Sequence, residues 1–168
     1  MLAAASLVVT GCLMRANFSA NVTTADGVQM EVPPNTAPAK VEDDAMIVKR
    51  FQFAPWAMGT GKGLAFAFQL EFKHGARPVE ITVDDVSDTP ILSIYTDKAP
   101  ILIKDVWNGV SIAHNPADEY VKWIMTLENN VKVYRFTVRL KDGTTHVLRY
   151  PIFAPANMKA FMRTQLGV

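Results

Sequence analysis

The sequence predicts an all-β fold, an antiparallel β-sandwich of the immunoglobulin-like or transthyretin-like kind with a short C-terminal helix. The first reason is a clean period of two over Gly63–His74, which is typical of a strand with one buried face. The second is a series of at least seven short strand-like stretches separated by turn signals, as in sandwich proteins. A chain of 168 residues is also long enough to bury one core without disulfides.

The first half of the predicted sandwich contains several strands. Met46–Phe53 is rich in β-formers and ends before Pro55, and Val79–Asp84 alternates in the same way as Gly63–His74. The loop His74–Pro78 is expected to join the two alternating strands as a hairpin. Two shorter strands are expected at Pro90–Tyr95 and Ile101–Val106.

The second half is predicted to be a meander of three strands, Tyr120–Glu128, Val131–Leu140 and Thr144–Phe153. Asn129-Asn130 and Asp142-Gly143 separate them, and both pairs tolerate the positive φ angles of tight hairpin turns. The middle strand should bury one face, made of Tyr134, Phe136, Val138 and Leu140.

A short amphipathic helix is expected over Ala156–Leu166, because Met158, Phe161 and Met162 fall on one stripe. A helix of this length is marginal in water when isolated. It must therefore dock, either on its own sandwich or on a partner, and in the second case Phe161 is a contact residue.

The segment before the sandwich is polar and rich in proline. Residues 12–45 are predicted to be the N-terminus and a tether, and residues 46–168 the sandwich domain. Within the tether, Asp26-Gly27 can turn a small hairpin whose second strand is Val28–Val32. The alternative is that part of this segment pairs with the main domain as an edge strand.

The N-terminus contains an apolar stretch that ends in Val9-Thr10-Gly11-Cys12, and Cys12 is the only cysteine. The stretch is too short to span a bilayer. It resembles the lipobox of bacterial lipoproteins, which implies that residues 1–11 are a signal peptide and that Cys12 carries lipid. Leu13 follows the cysteine, where the resemblance would require Asp for retention at the inner membrane. The resemblance therefore implies the periplasmic face of the outer membrane.

Composition and motifs argue against several functions. A net charge of +1 is unlike the basic excess of nucleic-acid binders. The three histidines have no metal-ligand spacing, and neither Ser93 nor Ser111 lies in a G-x-S-x-G turn. The sequence therefore predicts a protein that is not an enzyme and has no metal or cofactor.

Candidate contact residues lie in two loops. Gly59–Gly63 is a flexible loop that contains Lys62, and Trp56 stands just before it. Trp107 and Asn108 are expected in a turn with an exposed aromatic tip, and exposed aromatic residues on loops are frequent contact residues. Trp56, Lys62, Trp107, Asn108 and Phe161 form the predicted partner-binding set, although either tryptophan can instead pack on the core.

These observations predict a membrane-anchored periplasmic lipoprotein that binds another protein in an envelope assembly such as a secretion system. Lipobox, size and architecture are loosely similar to the small β-sandwich lipoprotein of type VI secretion systems. The alternatives are an immunity protein against a toxin, and a glycan or small-ligand module whose tryptophans share an exposed face. An envelope hydrolase would place a histidine within hydrogen-bond reach of Ser or Asp in a cleft.

Overall fold

The computed structural model describes residues 20–32, 40–58, 61–87, 94–114 and 131–153. These residues form antiparallel strands joined by turns. The strands are β1 (Ala20–Thr23), β2 (Gln29–Val32), β3 (Val41–Glu42), β4 (Met46–Met58), β5 (Gly61–Phe72), β6 (Pro78–Asp85), β7 (Tyr95–Asp97), β8 (Leu102–Ile103), β9 (Val106–His114), β10 (Val131–Leu140) and β11 (Thr145–Phe153).

Two antiparallel sheets pack face to face, which confirms the predicted β-sandwich. One sheet has the order β3-β4-β5-β9-β8 and the other β11-β10-β6-β7, while β1 and β2 form a separate hairpin. The phenylalanines of β5 meet the buried side chains of β6 and β10 in a single core. The predicted buried face of β10, from Tyr134 to Leu140, is confirmed.

The connection between β5 and β6 differs from the prediction. His74–Pro78 was expected to close a hairpin, but β5 and β6 belong to different sheets. His74 and Gly75 both have positive φ angles, of 51° and 73°, and turn the chain away from the first sheet. The reason is packing, because each strand has one apolar face and these two faces bury more area against each other than side by side.

Strand β4 also runs further than predicted, through Pro55 to Met58. A proline cannot donate to a ladder and is tolerated where a strand has a neighbour on one side only. Among the described residues, β3 pairs only with Ile47 and Val48 of β4, so Pro55 has a partner strand on the β5 side alone.

The turn expected at Trp107-Asn108 lies instead at Lys104-Asp105. Both residues have positive φ angles, of 50° and 64°, and they join Ile103 to its partner Val106, as in a type I′ hairpin. The N–H of Phe72 donates to the carbonyl of Asp105 over 2.8 Å and holds this turn against the sheet. Trp107 and Asn108 therefore belong to β9.

The described residues before the sandwich include a hairpin and an edge strand. Asp26-Gly27 turns a hairpin between β1 and β2, as predicted, and Val41–Glu42 pairs with β4 as an edge strand, which was the alternative to a free tether. The lipobox and the predicted helix over Ala156–Leu166 lie outside the described residues. In the described part of the chain, no helix is long and apolar enough to cross a membrane.

Candidate functional site

Four exposed aliphatic side chains lie on or next to the strands at one side of the sandwich. Strands β7 and β8 are the outermost strands on this side, and the chain passes from one to the other through residues 98–101. We call this surface the apolar edge and define it by four side chains that are between 61% and 79% exposed: Ile94, Ile101, Ile103 and Val110.

The backbone beside the apolar edge is open. Strand β8 pairs only with Val106 and Trp107 of β9, whereas β9 continues to His114 along β5. Within the described ranges, Asn108–His114 therefore has a neighbouring strand on one side only. Alternate N–H and C=O groups of such a strand point outward and are available for another strand.

Two of the predicted contact residues lie on β9 and have different environments. Asn108 is exposed, and its Oδ1 accepts a hydrogen bond of 3.0 Å from Nε2 of Gln69. Trp107 is 1% exposed, so the prediction of an exposed aromatic tip is wrong. Its indole stacks parallel to Phe68 and donates through Nε1 to Asp97 Oδ2 over 2.8 Å, because alternation along β9 turns position 107 toward the core.

Two of the remaining predicted contact residues lie within the described ranges. Trp56 and Lys62 lie at the end of the β4–β5 pair, where Trp56 is opposite Gly63 and Lys62 opposite Ala57. Cys12 and Phe161 lie outside the described residues. The glycan hypothesis required the tryptophans to share an exposed face, and Trp107 does not meet this requirement.

On the outer face of the four-stranded sheet, charged residues hold the β1–β2 hairpin. Arg135 stands directly opposite both Arg149 and Asp84 in the ladder. Asp26 of the hairpin turn approaches both guanidinium groups, 2.9 Å from Arg135 and 2.5 Å from Arg149. Hydrogen bonds from Thr24 and Arg149 lower the pKa of Asp26 to about 2.

At one end of the sandwich, a cleft of about 700 Å³ lies between the β5–β6 and β10–β11 loops. His146 lies on its wall, and its Nδ1 is 2.8 Å from Asp43 Oδ2 and 3.8 Å from Asp44 Oδ1. Burial opposes ionisation of Asp43, but hydrogen bonds from the N–H of Met46 and from His146 lower its pKa overall. This juxtaposition could not be predicted from the sequence, because His146 and Asp43 are 103 positions apart.

The other imidazole nitrogen of His146 lies 3.4 Å from Thr144 Oγ1. The Thr144 hydroxyl donates to Asp142 Oδ1 over 2.7 Å, and this bond, followed by one from the backbone N–H of Thr144, lowers the pKa of Asp142. The histidine and the acid that the hydrolase hypothesis required are therefore present at a cleft. The adjacent hydroxyl is not prepared as a nucleophile, since its proton is directed at Asp142 and not at His146.

Comparisons with protein-family models, with curated proteins and with solved structures found no match to this chain.

Proposed function

We propose that this chain is a lipid-anchored envelope protein that binds a partner protein through the open side of β9 and the apolar edge. The anchor is lipid on Cys12, and the site is the periplasmic face of the outer membrane. The observation that carries the proposal is a strand segment, Asn108–His114, that is paired on one side only within the described residues. Four exposed aliphatic side chains lie on this strand or on the chain just before it.

The backbone supplies the first part of the interaction. An extended segment of a partner can add to β9 in line with β8, and its N–H and C=O groups then pair with those that β9 directs outward. Such pairing gives affinity without much sequence preference. Specificity then comes from the side chains on either side of the added strand.

The apolar edge supplies the second part. Single exposed aliphatic residues are ordinary on protein surfaces, whereas several on or next to neighbouring strands are typical of an interaction surface. Burial of Ile101, Ile103 and Val110 against a partner would stabilise the complex by about 25 cal/mol for each Å² of apolar area removed from water. The partner segment is therefore expected to present aliphatic or aromatic side chains.

The charged residues beside the apolar edge indicate which kind of partner segment fits it. Lys98 and Lys104 flank Ile101 and Ile103 and are exposed, and within the described residues neither has a carboxylate partner. The nearby acids are engaged, since Asp97 accepts from Trp107 and Asp105 pairs with Arg77. An apolar segment with acidic flanks fits this surface, because opposite charges steer encounter and fix register.

A component of an envelope assembly such as a secretion system is the favoured role, and an immunity protein against a periplasmic toxin is the alternative. Both would use the same edge. They differ in the identity of the partner, which is a resident envelope protein in the first case and a toxin in the second.

The anchor is tested with Cys12→Ser in the native organism. We expect wild type to fractionate with membranes and to incorporate labelled fatty acid, and Cys12→Ser to do neither. A matched change at the next residue, Leu13→Ala, keeps the cysteine and should leave the labelling intact. Labelling that persists in Cys12→Ser would refute the lipid anchor.

The binding edge is tested by site-specific photo-crosslinking. A photoreactive residue at position 103 or 110 should join the protein to one defined partner, which mass spectrometry identifies. The matched control is position 147, because Val147 is 43% exposed and lies on β11 of the opposite sheet.

The identified partner is then purified and its affinity measured. Val110→Asp and Ile103→Asp should each weaken binding at least tenfold, because a charge would face apolar side chains, whereas Val147→Asp should not change it. Equal crosslinking at positions 103, 110 and 147, or binding that Val110→Asp leaves unchanged, would refute the proposed edge.

A further inference from the structure

We propose that Asp43, Asp44 and His146 bind a divalent first-row metal ion, with Zn²⁺ as the representative case. The donor set is one imidazole nitrogen and two carboxylate oxygens, which are ligands that Zn²⁺ accepts in proteins. Their ligand atoms all lie within 4.8 Å of one another. This site is independent of the apolar edge.

The distances require only small movements. In a tetrahedral site with bonds near 2.0 Å, ligand atoms stand roughly 3.3 Å apart. His146 Nδ1 is 2.8 Å from Asp43 Oδ2 and 3.8 Å from Asp44 Oδ1, so the two values bracket the required separation. The Asp44 side chain is 91% exposed and is free to adjust.

Two of the ligands are held in place by groups outside the donor set. Asp43 Oδ1 accepts hydrogen bonds from the N–H groups of Ala45 and Met46, over 2.9 and 2.8 Å, which leaves Oδ2 toward His146. On the other side of the ring, Nε2 faces Thr144 Oγ1. Metal-ligating histidines ordinarily donate their second N–H to an acceptor of this kind, which fixes the tautomer.

The contact between His146 and Asp43 indicates where the ion would lie. Nδ1 of His146 and Oδ2 of Asp43 are 2.8 Å apart and share a hydrogen bond. A metal ion would take the place of the proton between these two atoms, since metal binding to such ligands releases protons. Asp44 would then add a third ligand atom.

The site also has an open side. His146 and Asp44 both line the cleft, together with Lys73 and His74. Three protein ligands and a fourth position open to solvent are typical of zinc sites that exchange a ligand. The ion would also link the β3–β4 turn to β11, since Asp43 precedes β4 and His146 lies on the other sheet.

The test is Zn²⁺ titration of the purified full chain by calorimetry, followed by the visible absorption of the Co²⁺ complex. Wild type is expected to bind one ion per chain. His146→Ala should weaken binding by about 100-fold, and Asp44→Ala by about 10-fold. Because the Asp44 side chain is almost fully exposed, Asp44→Ala remains informative even if His146→Ala fails to fold.

The matched control is His74→Ala, which removes another histidine of the same cleft but no proposed ligand, and it should bind as wild type does. Paramagnetic broadening by Co²⁺ in NMR spectra should be centred on residues 43–46 and 144–146. Absence of Zn²⁺ binding at 1 mM, unchanged affinity in Asp44→Ala, or broadening centred elsewhere would overturn the proposal.

Discussion

The outer surfaces of the two sheets are completed in different ways. On the four-stranded sheet, the turn of the β1–β2 hairpin docks onto a charged row, with Asp26 between two arginines. On the five-stranded sheet, β9 is open along Asn108–His114 within the described residues, and the apolar edge faces solvent. The first surface is covered by the chain itself, whereas the second has no cover within the described residues and is where we propose that a partner binds.

The difference follows from which groups the ladders bring together. Arg135 and Arg149 stand directly opposite each other, and like charges at such positions destabilise a sheet. Asp26 offsets this repulsion, so the chain gains stability from covering that face. The apolar edge contains no such repulsion between like charges. If the chain covered its four side chains, the stabilisation would come only from burial of their apolar area.

The largest expected loss of stability comes from replacing Trp107, whose side chain packs beneath the open strand β9. Trp107→Ala should lower the free energy of unfolding by about 3–5 kcal/mol, because it empties a buried volume and removes the indole N–H that donates to Asp97 Oδ2. Urea unfolding followed by circular dichroism measures this loss. A loss below about 1 kcal/mol would show that Trp107 is not packed as described.

A smaller effect is expected from the residue over which the indole lies. A Cβ added at Gly109 would overlap Cη2 and Cζ2 of Trp107. Gly109→Ala should therefore cost about 1–3 kcal/mol, as overpacking in cores does, and thermal unfolding reports it. Gly143→Ala is an informative contrast, since a Cβ there meets no atom within 4 Å and any loss reflects its φ of 91°.

The closed side is tested with Asp26→Ala. This change removes the carboxylate from two arginines and should destabilise the protein by about 1–3 kcal/mol. The loss should be local, so the amide of Ala25, which donates to the carbonyl of Val86, should exchange its hydrogen faster than the amides of β10. Uniform acceleration across the chain would contradict a local role.

Acid should weaken the docking of the β1–β2 hairpin over a defined range of pH. The pKa of Asp26 is about 2 in the folded protein, against an ordinary value of 3.8. Its stabilising contribution is therefore complete above about pH 4 and is lost as the pH falls toward 2. The stability difference between wild type and Asp26→Asn should shrink over this range, and a difference that is constant from pH 6 to pH 2 would disprove the assignment.

The smallest effect is expected at the apolar edge. Ile103→Asp should change the free energy of unfolding by less than about 0.5 kcal/mol, because an exposed side chain contributes little to the fold. The same change should weaken partner binding, as stated above. A large loss of stability would mean that Ile103 packs against a part of the chain outside the described residues.

Periodicity allowed much of the fold to be predicted. The alternation of β5 and β10 identified their buried faces, including Phe66, Phe68 and Phe136, because a period of two relates each side chain to one face. It was harder to predict which strands pair with each other. The loop after β5 has ordinary turn residues, and nothing local distinguishes a hairpin from a passage to the opposite sheet.

The sites were harder to predict than the strands. Trp107-Asn108-Gly109 has the composition of a turn, but the turn lies at Lys104-Asp105, where Lys104 has a positive φ angle that is uncommon for lysine. His146 gains its partners only when β11 folds next to the β3–β4 turn. Its environment therefore depends on long-range packing and has no counterpart in the spacing of residues.

Docking of the β1–β2 hairpin leaves only a short segment between Cys12 and the folded domain. If Cys12 holds lipid, only residues 13–19 separate the bilayer from Ala20, the first residue of β1. Seven extended residues span at most roughly 25 Å. A partner fixed in the same membrane would then meet the domain at a high effective concentration, because both would be held close to the bilayer. The docked hairpin would thus limit the distance between the domain and the membrane, and with it the set of envelope proteins that the domain can contact.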